Sequence, residues 1–407
     1  MSGTRILQCR ECGKEYPISN NYFCEDCFGP LDVLYKYDEI KWNTDIFKEK
    51  PKNFWRYLDL LPISNPKHIV NIEAGFTPLI KADNLGKEIG LKNLYIKNDT
   101  VNPTFSFKDR PAGVGISMAI EFGLKSVGCA STGNLAAATA AYAAKAGLPC
   151  YVFIPQGLEN EKVAQALAYG PHIIEVEGNY DAANRLAAQA ADTYNIGVVN
   201  INLRTYYVEG SKTLGYEIAE QLNWSLPDHV IVPVGSGALL HALCKGFEEL
   251  ELIGIIDKKE VKVSAAQGHG CAPLVDSFKN NLNKVIPIEH PKTIAKSLAI
   301  GEPGDGIYAL RKIREYNGFA EDVTDEEIVE AIRLLARTEG IFSEPAGGVS
   351  LGVLKKLVEA GKISPDEKVV CLITGCGLKA TEAVVGQLPN PILVEPNLEA
   401  LAPIIQM

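Results

Sequence analysis

The sequence predicts an α/β protein of two lobes, each built around a parallel sheet, with a small four-cysteine segment ahead of them. Three observations carry that expectation. Beyond residue 125, short apolar runs alternate with helix-length segments, the pattern that βαβ units and a parallel sheet produce. Small-residue turns follow some of those runs and open helices, as at Ser131-Thr132-Gly133-Asn134 and Gly235-Ser236-Gly237-Ala238-Leu239. Four of the 10 cysteines form two Cys-x-x-Cys pairs near the start. The expected units are 1–40 for the cysteine segment, 41–107 with 205–407 for a large α/β lobe, and 108–204 for a small one.

In chain order, residues 1–40 read as short strands and turns. A polar, aromatic connector follows from Lys41 to Lys67, with Trp42, Phe54, Trp55 and Tyr57. Lys125–Ala130 is a short apolar strand, and Asn134–Ala146 an alanine-rich helix stopped by Gly147. Tyr151–Ile154 is a strand, Glu159–Tyr169 a helix stopped by Gly170 and Pro171, and His172–Val176 a strand. Asp181–Tyr194 is a helix with an acidic first turn, and Val198–Ile201 another strand. The second series holds the strand Val230–Val234, the helix Leu239–Leu250, and the strands Val261–Ala265 and Val369–Ile373. Between the last two lies the amphipathic helix Asp325–Thr338, with Thr324 as its N-cap. Ligands of such sheets sit at the carboxyl ends of the strands, so the turns there are the candidate binding loops.

Composition excludes several classes. The 407 residues are 46% hydrophobic and 22% charged, with 36 Gly, 23 Pro and no low-complexity tract, as for an ordered globular protein. A net charge of −10 without a Lys/Arg run gives little counterion release, so nucleic acid is not an expected partner. The opening MSGTRILQCRECGKEY turns polar before a signal-peptide core could form, and no stretch is apolar enough for a bilayer. No membrane partner is expected, and the cytoplasm is the expected location. Cys129, Cys150, Cys244, Cys271, Cys371 and Cys376 are scattered through apolar segments and read as small core hydrophobes.

Four segments carry chemistry together, although each has a plain reading alone. In Asn102-Pro103-Thr104-Phe105-Ser106-Phe107-Lys108-Asp109-Arg110, aromatic and hydroxyl neighbours can desolvate Lys108 and favour the neutral amine that forms a Schiff base. Alone it reads as a surface lysine paired with a carboxylate. Ser131-Thr132-Gly133-Asn134 opens a helix and suits a carboxylate, or is a simple N-cap. Gly235-Ser236-Gly237-Ala238-Leu239 lets a phosphate approach the backbone at a helix N-terminus, or is an empty turn. Ile373-Thr374-Gly375-Cys376-Gly377 presents a hydroxyl at a strand end before two glycines, or is a turn.

In this order and context the four segments resemble the fold-type II pyridoxal-phosphate enzymes, and among them most closely the threonine synthase family. That family's Pro-Thr-x-Ser-Phe-Lys-Asp-Arg motif is matched at Pro103–Arg110, and its Thr-Gly-x-Gly-Leu-Lys segment at Thr374–Lys379. The likeness runs from about Gly75-Phe76-Thr77-Pro78 to Lys379. The resemblance implies a pyridoxal 5'-phosphate-dependent carbon–oxygen lyase acting on a phosphate ester. It would convert O-phospho-L-homoserine and water to L-threonine and phosphate, as a homodimer. Lys108 would hold the cofactor as an imine and carry protons, and Asn134 would bond its ring hydroxyl. Gly235, Ser236, Gly237, Ala238 and Leu239, in the large lobe, would cradle its phosphate, and Thr374 would face its ring nitrogen. Ser131 and Thr132 would bind the substrate carboxylate.

Departures from the family pattern lie nearer the substrate. Phe105 stands where the family often has Gly, and Pro111 where it has a small flexible residue. The stretch Arg204–Thr213 is worded differently, and Ser297–Pro303 lacks the arginine common there. Lys162, Arg204 and Lys212 are the candidate ligands of the substrate phosphate, or else solvated charges. Glu344, ahead of a helix, reads as a complement to its dipole, with a place lining the active site as the alternative.

Cys9, Cys12, Cys24 and Cys27 have the spacing of a zinc-ribbon-like site. Structural zinc is the expected occupant, with four reduced thiols and no metal as the alternative. Rival functions on the same scaffold are threonine or serine dehydratase, cysteate synthesis, and a non-catalytic regulatory relative that binds pyridoxal phosphate. A zinc-ribbon interaction protein explains only the first forty residues.

Overall fold

The structure is a computed structural model that describes residues 5–157, 160–388 and 390–405, with backbone alone at 160–162. The chain opens with three antiparallel strands, β1 (Arg5–Cys9), β2 (Glu15–Pro17) and β3 (Leu31–Tyr35), in the order β2-β1-β3. Leu7, Leu31 and Val33 are buried beneath them. The connector after this sheet coils through short 3-10 turns, and its Phe54, Trp55 and Tyr57 are core residues.

The body begins with β4 (Leu79–Lys81), α1 (Asp83–Ile89), β5 (Asn93–Asn98) and α2 (Asp109–Glu121). Alternating elements follow: β6 (Val127–Ala130), α3 (Asn134–Ala146), β7 (Cys150–Pro155), α4 (Asn160–Leu167), β8 (His172–Val176), α5 (Tyr180–Tyr194) and β9 (Gly197–Val198). The series continues with α6 (Arg204–Gln221), β10 (His229–Pro233), α7 (Ala238–Leu252), β11 (Lys262–Gly268), α8 (Pro273–Lys279) and α9 (Gly306–Glu315). It closes with β12 (Ala320–Val323), α10 (Asp325–Glu339), α11 (Pro345–Glu359), β13 (Lys368–Ile373) and α12 (Leu398–Ile405).

Two sheets result, and the expected α/β class holds. The strands β8-β7-β6-β9 form one sheet, parallel throughout. The other runs β12-β11-β10-β13-β5-β4 and is parallel except for its edge strand β4, which pairs antiparallel with β5. From β10 the chain moves to β11 on one side, while β13 returns on the other. The carboxyl ends of β10 and β13 therefore flank a topological switch point, where a crevice opens.

Local details follow from the sequence. Thr324 caps α10 in a full capping box with Glu327, and Gly147 ends α3 in the left-handed region at φ +66. The expected strand Val198–Ile201 shortens to Gly197–Val198. Asn200 accepts the Ala130 N–H at 3.1 Å and Asn202 the Val198 N–H at 2.7 Å, and these side-chain bonds take the chain out of the ladder. Among the described residues no helix is long and apolar enough to cross a membrane.

Candidate active site

Lys108 stands at the N-cap of α2, on a segment sewn to the loop after β13. The Phe107 N–H donates to the Thr374 carbonyl at 2.8 Å, and the Cys376 N–H to the Phe105 carbonyl at 3.0 Å. Thr104 donates its N–H (2.8 Å) and hydroxyl (3.0 Å) to the Asp109 carboxylate, yet burial pushes that carboxyl up to about 7. Phe105 holds φ +65, a left-handed backbone that glycine adopts most readily. Pro111 is the third residue of α2, where no helical N–H bond is lost. Both departures thus leave the lysine loop intact.

A crevice partly open to solvent lies at the switch point. Its walls bring together Lys108, Asn134, Gly235, Ser236, Gly237, Leu239 and Thr374, all expected from the sequence. The Lys108 Nζ donates to the Tyr207 hydroxyl and stands 4.4 Å from the centre of the Phe107 ring. Gly237 has φ +93, and a Cβ there would lie 2.7 Å from the Asp305 carbonyl oxygen. Only glycine lets this loop press so close. Ala238 is buried behind the loop as the first residue of α7, whose leading N–H groups have no helical acceptors. Glycines beside the free amides of a helix start form a cradle that fits a phosphate. A lysine, an amide and a hydroxyl around the same cavity fit the rest of pyridoxal phosphate.

Two further wall residues meet the expected set, and for Glu344 the lining alternative is the one that holds. Tyr207 lies on α6, within the stretch singled out as differently worded. Glu344 is no mere partner of a dipole: its side chain makes no capping bond, and its carboxylate accepts from Asn134 Nδ2 at 3.0 and 2.9 Å. Burial pushes its carboxyl up. Gly375 makes room for it, since a Cβ there would lie 2.5 Å from the carboxylate. The only sequence signal was an acid immediately before Pro345 at a helix start.

The substrate candidates divide. Ser131 and Thr132 are half-buried at the start of α3 beside Asn134, outside the cavity walls. Their loop is anchored through Ala130, whose carbonyl accepts from Asn200 at 3.1 Å and Tyr180 at 2.9 Å. Arg204 opens α6 and pairs with Asp305. Lys212 is corrected: its side chain is fully buried between Glu209 (2.6 Å) and Glu249 (2.8 Å), so its charge is spent inside the core. The side chain of Lys162 lies outside the described residues. Ser297, Leu298 and Ile300, from the stretch without its arginine, line the cavity.

The four N-terminal sulfurs lie within 4.8 Å of one another. Cys9 and Cys27 are 3.4 Å apart, and Cys12 and Cys24 3.6 Å. A tetrahedral zinc with ~2.3 Å bonds sets sulfurs about 3.8 Å apart, so the set fits the ion and leaves no position for substrate. The N–H groups of Glu11 and Asp26 point at Cys9 and Cys24 sulfurs, each at 3.4 Å, as suits thiolates.

Comparison with known proteins agrees with this geometry. The model of a family described as "Pyridoxal-phosphate dependent enzyme" matches residues 70–375. A threonine synthase of Methanocaldococcus jannaschii is 43% identical over 404 residues, 98% of this chain and 99% of its own. One of Methanosarcina acetivorans is 42% identical, covering 97% of each. Among solved structures, threonine deaminase isoform 2 of Solanum lycopersicum superposes with a TM-score of 0.66 at 23% identity, over 82% of this chain and 94% of that one. Maize serine racemase does so at 0.63 and 23%, over 74% and 88%. At such identities the structures share the fold alone.

Proposed function

This chain belongs to the pyridoxal-phosphate dependent enzyme family, and we propose that it converts O-phospho-L-homoserine and water to L-threonine and phosphate. The observation that carries the reading is the end-to-end likeness to threonine synthases, which includes the cysteine segment as well as the two sheets. In the reaction, phosphate leaves Cγ with the carbon–oxygen bonding pair, and the water oxygen bonds to Cβ. Bound pyridoxal phosphate supplies the electron sink that makes the hydrogens at Cα and Cβ acidic.

The chain's own residues do the positioning and the proton work. The amine of Lys108 attaches the cofactor and moves the Cα proton, with the Tyr207 hydroxyl in contact with it. Asn134 bonds the cofactor ring, braced from behind by Glu344. Gly235 to Leu239 hold its phosphate. Thr374 offers the ring nitrogen a neutral hydroxyl, which does not enforce protonation there. Ser131 and Thr132 take the substrate carboxylate and so fix which Cα bond breaks. Arg204, with its side chain 31% exposed beside the loop, stays a candidate for the substrate phosphate together with Lys162.

The same reading includes a structural zinc on Cys9, Cys12, Cys24 and Cys27, supported by their geometry and testable by metal analysis of the purified chain. It also includes a cytoplasmic homodimer. Buried free thiols at Cys129, Cys150, Cys244, Cys271 and Cys371 suit a reducing compartment. The exposed apolar side chains Ile392, Leu393 and Leu398 are surface a second copy would cover, and light scattering tests the pairing. The function is tested by supplying O-phosphohomoserine. Phosphate and threonine are expected in equal amounts, and Lys108→Ala should abolish both. A cofactor-loaded protein that forms neither product overturns the assignment.

A further inference from the structure

The four-cysteine segment reaches into the active-site architecture. Its strand β3 lies against α6 and α7. The Thr205 hydroxyl donates to the Leu31 carbonyl at 3.1 Å, and Lys245 Nζ to the Val33 carbonyl at 2.7 Å. A further contact is made by Arg10, which stands between Cys9 and Cys12. Its side chain is only 6% exposed. One guanidinium nitrogen bonds Asp32 at 2.6 Å, the other bonds Asp305 at 3.1 Å, and the group lies 5.1 Å from the centre of the Tyr308 ring.

Both carboxylates lead to the candidate phosphate loop. The Asp305 N–H donates to the Ser236 carbonyl at 2.8 Å, and its own carbonyl is the surface on which Gly237 rests. Its second carboxylate oxygen takes Arg204. Asp32 stands 3.4 Å from His241 Nε2, and the His241 N–H donates to the Gly237 carbonyl at 3.2 Å. Arg10 therefore joins the two groups that bond the loop from either side.

We propose that Arg10 is a positioning residue for the cofactor phosphate, clamping Asp305 against Ser236-Gly237 so that the loop's N–H groups converge. The proposal rests on reading residues 235–239 as the phosphate cradle. Without Arg10, two buried carboxylates lose their shared cation, and Asp305 keeps only Arg204, which is drawn toward solvent. The Asp305 turn then shifts and takes the loop amides with it. The cysteine knuckle matters because it sets Arg10 itself: the Arg10 N–H donates to the Pro30 carbonyl at 3.0 Å, and a Cβ on neighbouring Gly29 would lie 2.9 Å from the Cys9 sulfur. The metal module thus acts on cofactor retention from outside the cavity.

The test titrates cofactor-free, full-length protein with pyridoxal phosphate and with phosphate-free pyridoxal, following the absorbance of the bound ligand. The variants are Arg10→Gln, Asp305→Asn and the charge-keeping Arg10→Lys. Arg10→Gln is expected to weaken pyridoxal phosphate about tenfold or more, a usual size for coupling between sites. Pyridoxal binding should stay within about twofold of wild type by the same reasoning. Arg10→Lys should recover part of the loss and also serves if Arg10→Gln folds poorly, and Asp305→Asn should copy Arg10→Gln. Equal losses for both ligands, or no loss, overturn the proposal while leaving the cradle in place. A wild type that binds the two ligands alike overturns the cradle reading itself, and the proposal with it.

Discussion

At the residue scale, the candidate site is a set of side chains whose neighbours determine what each can do. Lys108, Asn134 and Thr374 were legible because each sits in a short motif with a local physical reason: a loop before a helix, a helix start, a strand end. Tyr207 was not, and Glu344 only as an alternative, because their roles come from partners far along the chain. Tyr207 meets Lys108 across 99 positions, and Glu344 meets Asn134 across 210. Lys212 misled for the same reason, since one of its carboxylates, Glu249, is 37 positions away on the next helix. The Tyr207 hydroxyl is the group best placed to steer the Lys108 amine. Tyr207→Phe should lower kcat by about 100-fold, the low end for a proton-handling group, with KM and cofactor affinity little changed. Steady-state kinetics with cofactor titration checks this, and an unchanged kcat removes Tyr207 from the chemistry.

At the element scale, α2 and α6 hold the lysine in place through a buried ion cluster. Arg110, fully buried two residues after Lys108, donates to Asp99 at 2.8 and 3.0 Å and to Glu217 at 2.8 Å. Glu217 also accepts from Lys97 at 2.7 Å and from the Phe76 N–H at 2.6 Å. Gly210 lets the two helices meet, since a Cβ there would lie 2.3 Å from the Arg110 carbonyl oxygen. Burial alone would raise the Glu217 carboxyl, but Arg110 and Lys97 outweigh it and hold it at about 2, below the ordinary 4.5. A depressed carboxylate contributes stability that is complete above pH 4.5 and is lost as pH falls toward 2. Glu217→Gln should therefore cost about 3 kcal/mol or more at pH 7, by stranding buried cations. It should also flatten the acid limb of a stability–pH curve measured by denaturant unfolding; an unaltered acid limb counts against the cluster. The neighbouring Asp109, by contrast, is poised at about 7 by burial. The strands and helices around β6 to β8 and α10 were readable from periodicity, cap and glycine stop. By contrast, α2 and α6 were hidden, because helices buried nearly all round lose the amphipathic signal.

At the scale of the whole molecule, two sheets were visible in the alternation of apolar runs and helices. Their pairing was not, because strand order depends on contacts between segments far apart in sequence. Strand β13 joins β10 and β5 only after the chain has passed through β11 and β12. That insertion creates the switch point, and so brings the Gly235 and Thr374 turns to one crevice with Lys108. The docking of the cysteine segment on α6 and α7 was equally hidden, since Arg10 and Asp305 lie 295 positions apart. The assembled whole is suited to one overall reaction, in which carbon–oxygen cleavage precedes hydration at the adjacent carbon. The most direct measurement is turnover of O-phosphohomoserine in oxygen-18 water, with mass analysis of both products. The account predicts the label in the threonine hydroxyl and none in the released phosphate, because the phosphate departs with its own bridging oxygen. Label in the phosphate with homoserine as the other product, or 2-oxobutanoate in place of threonine, would contradict it.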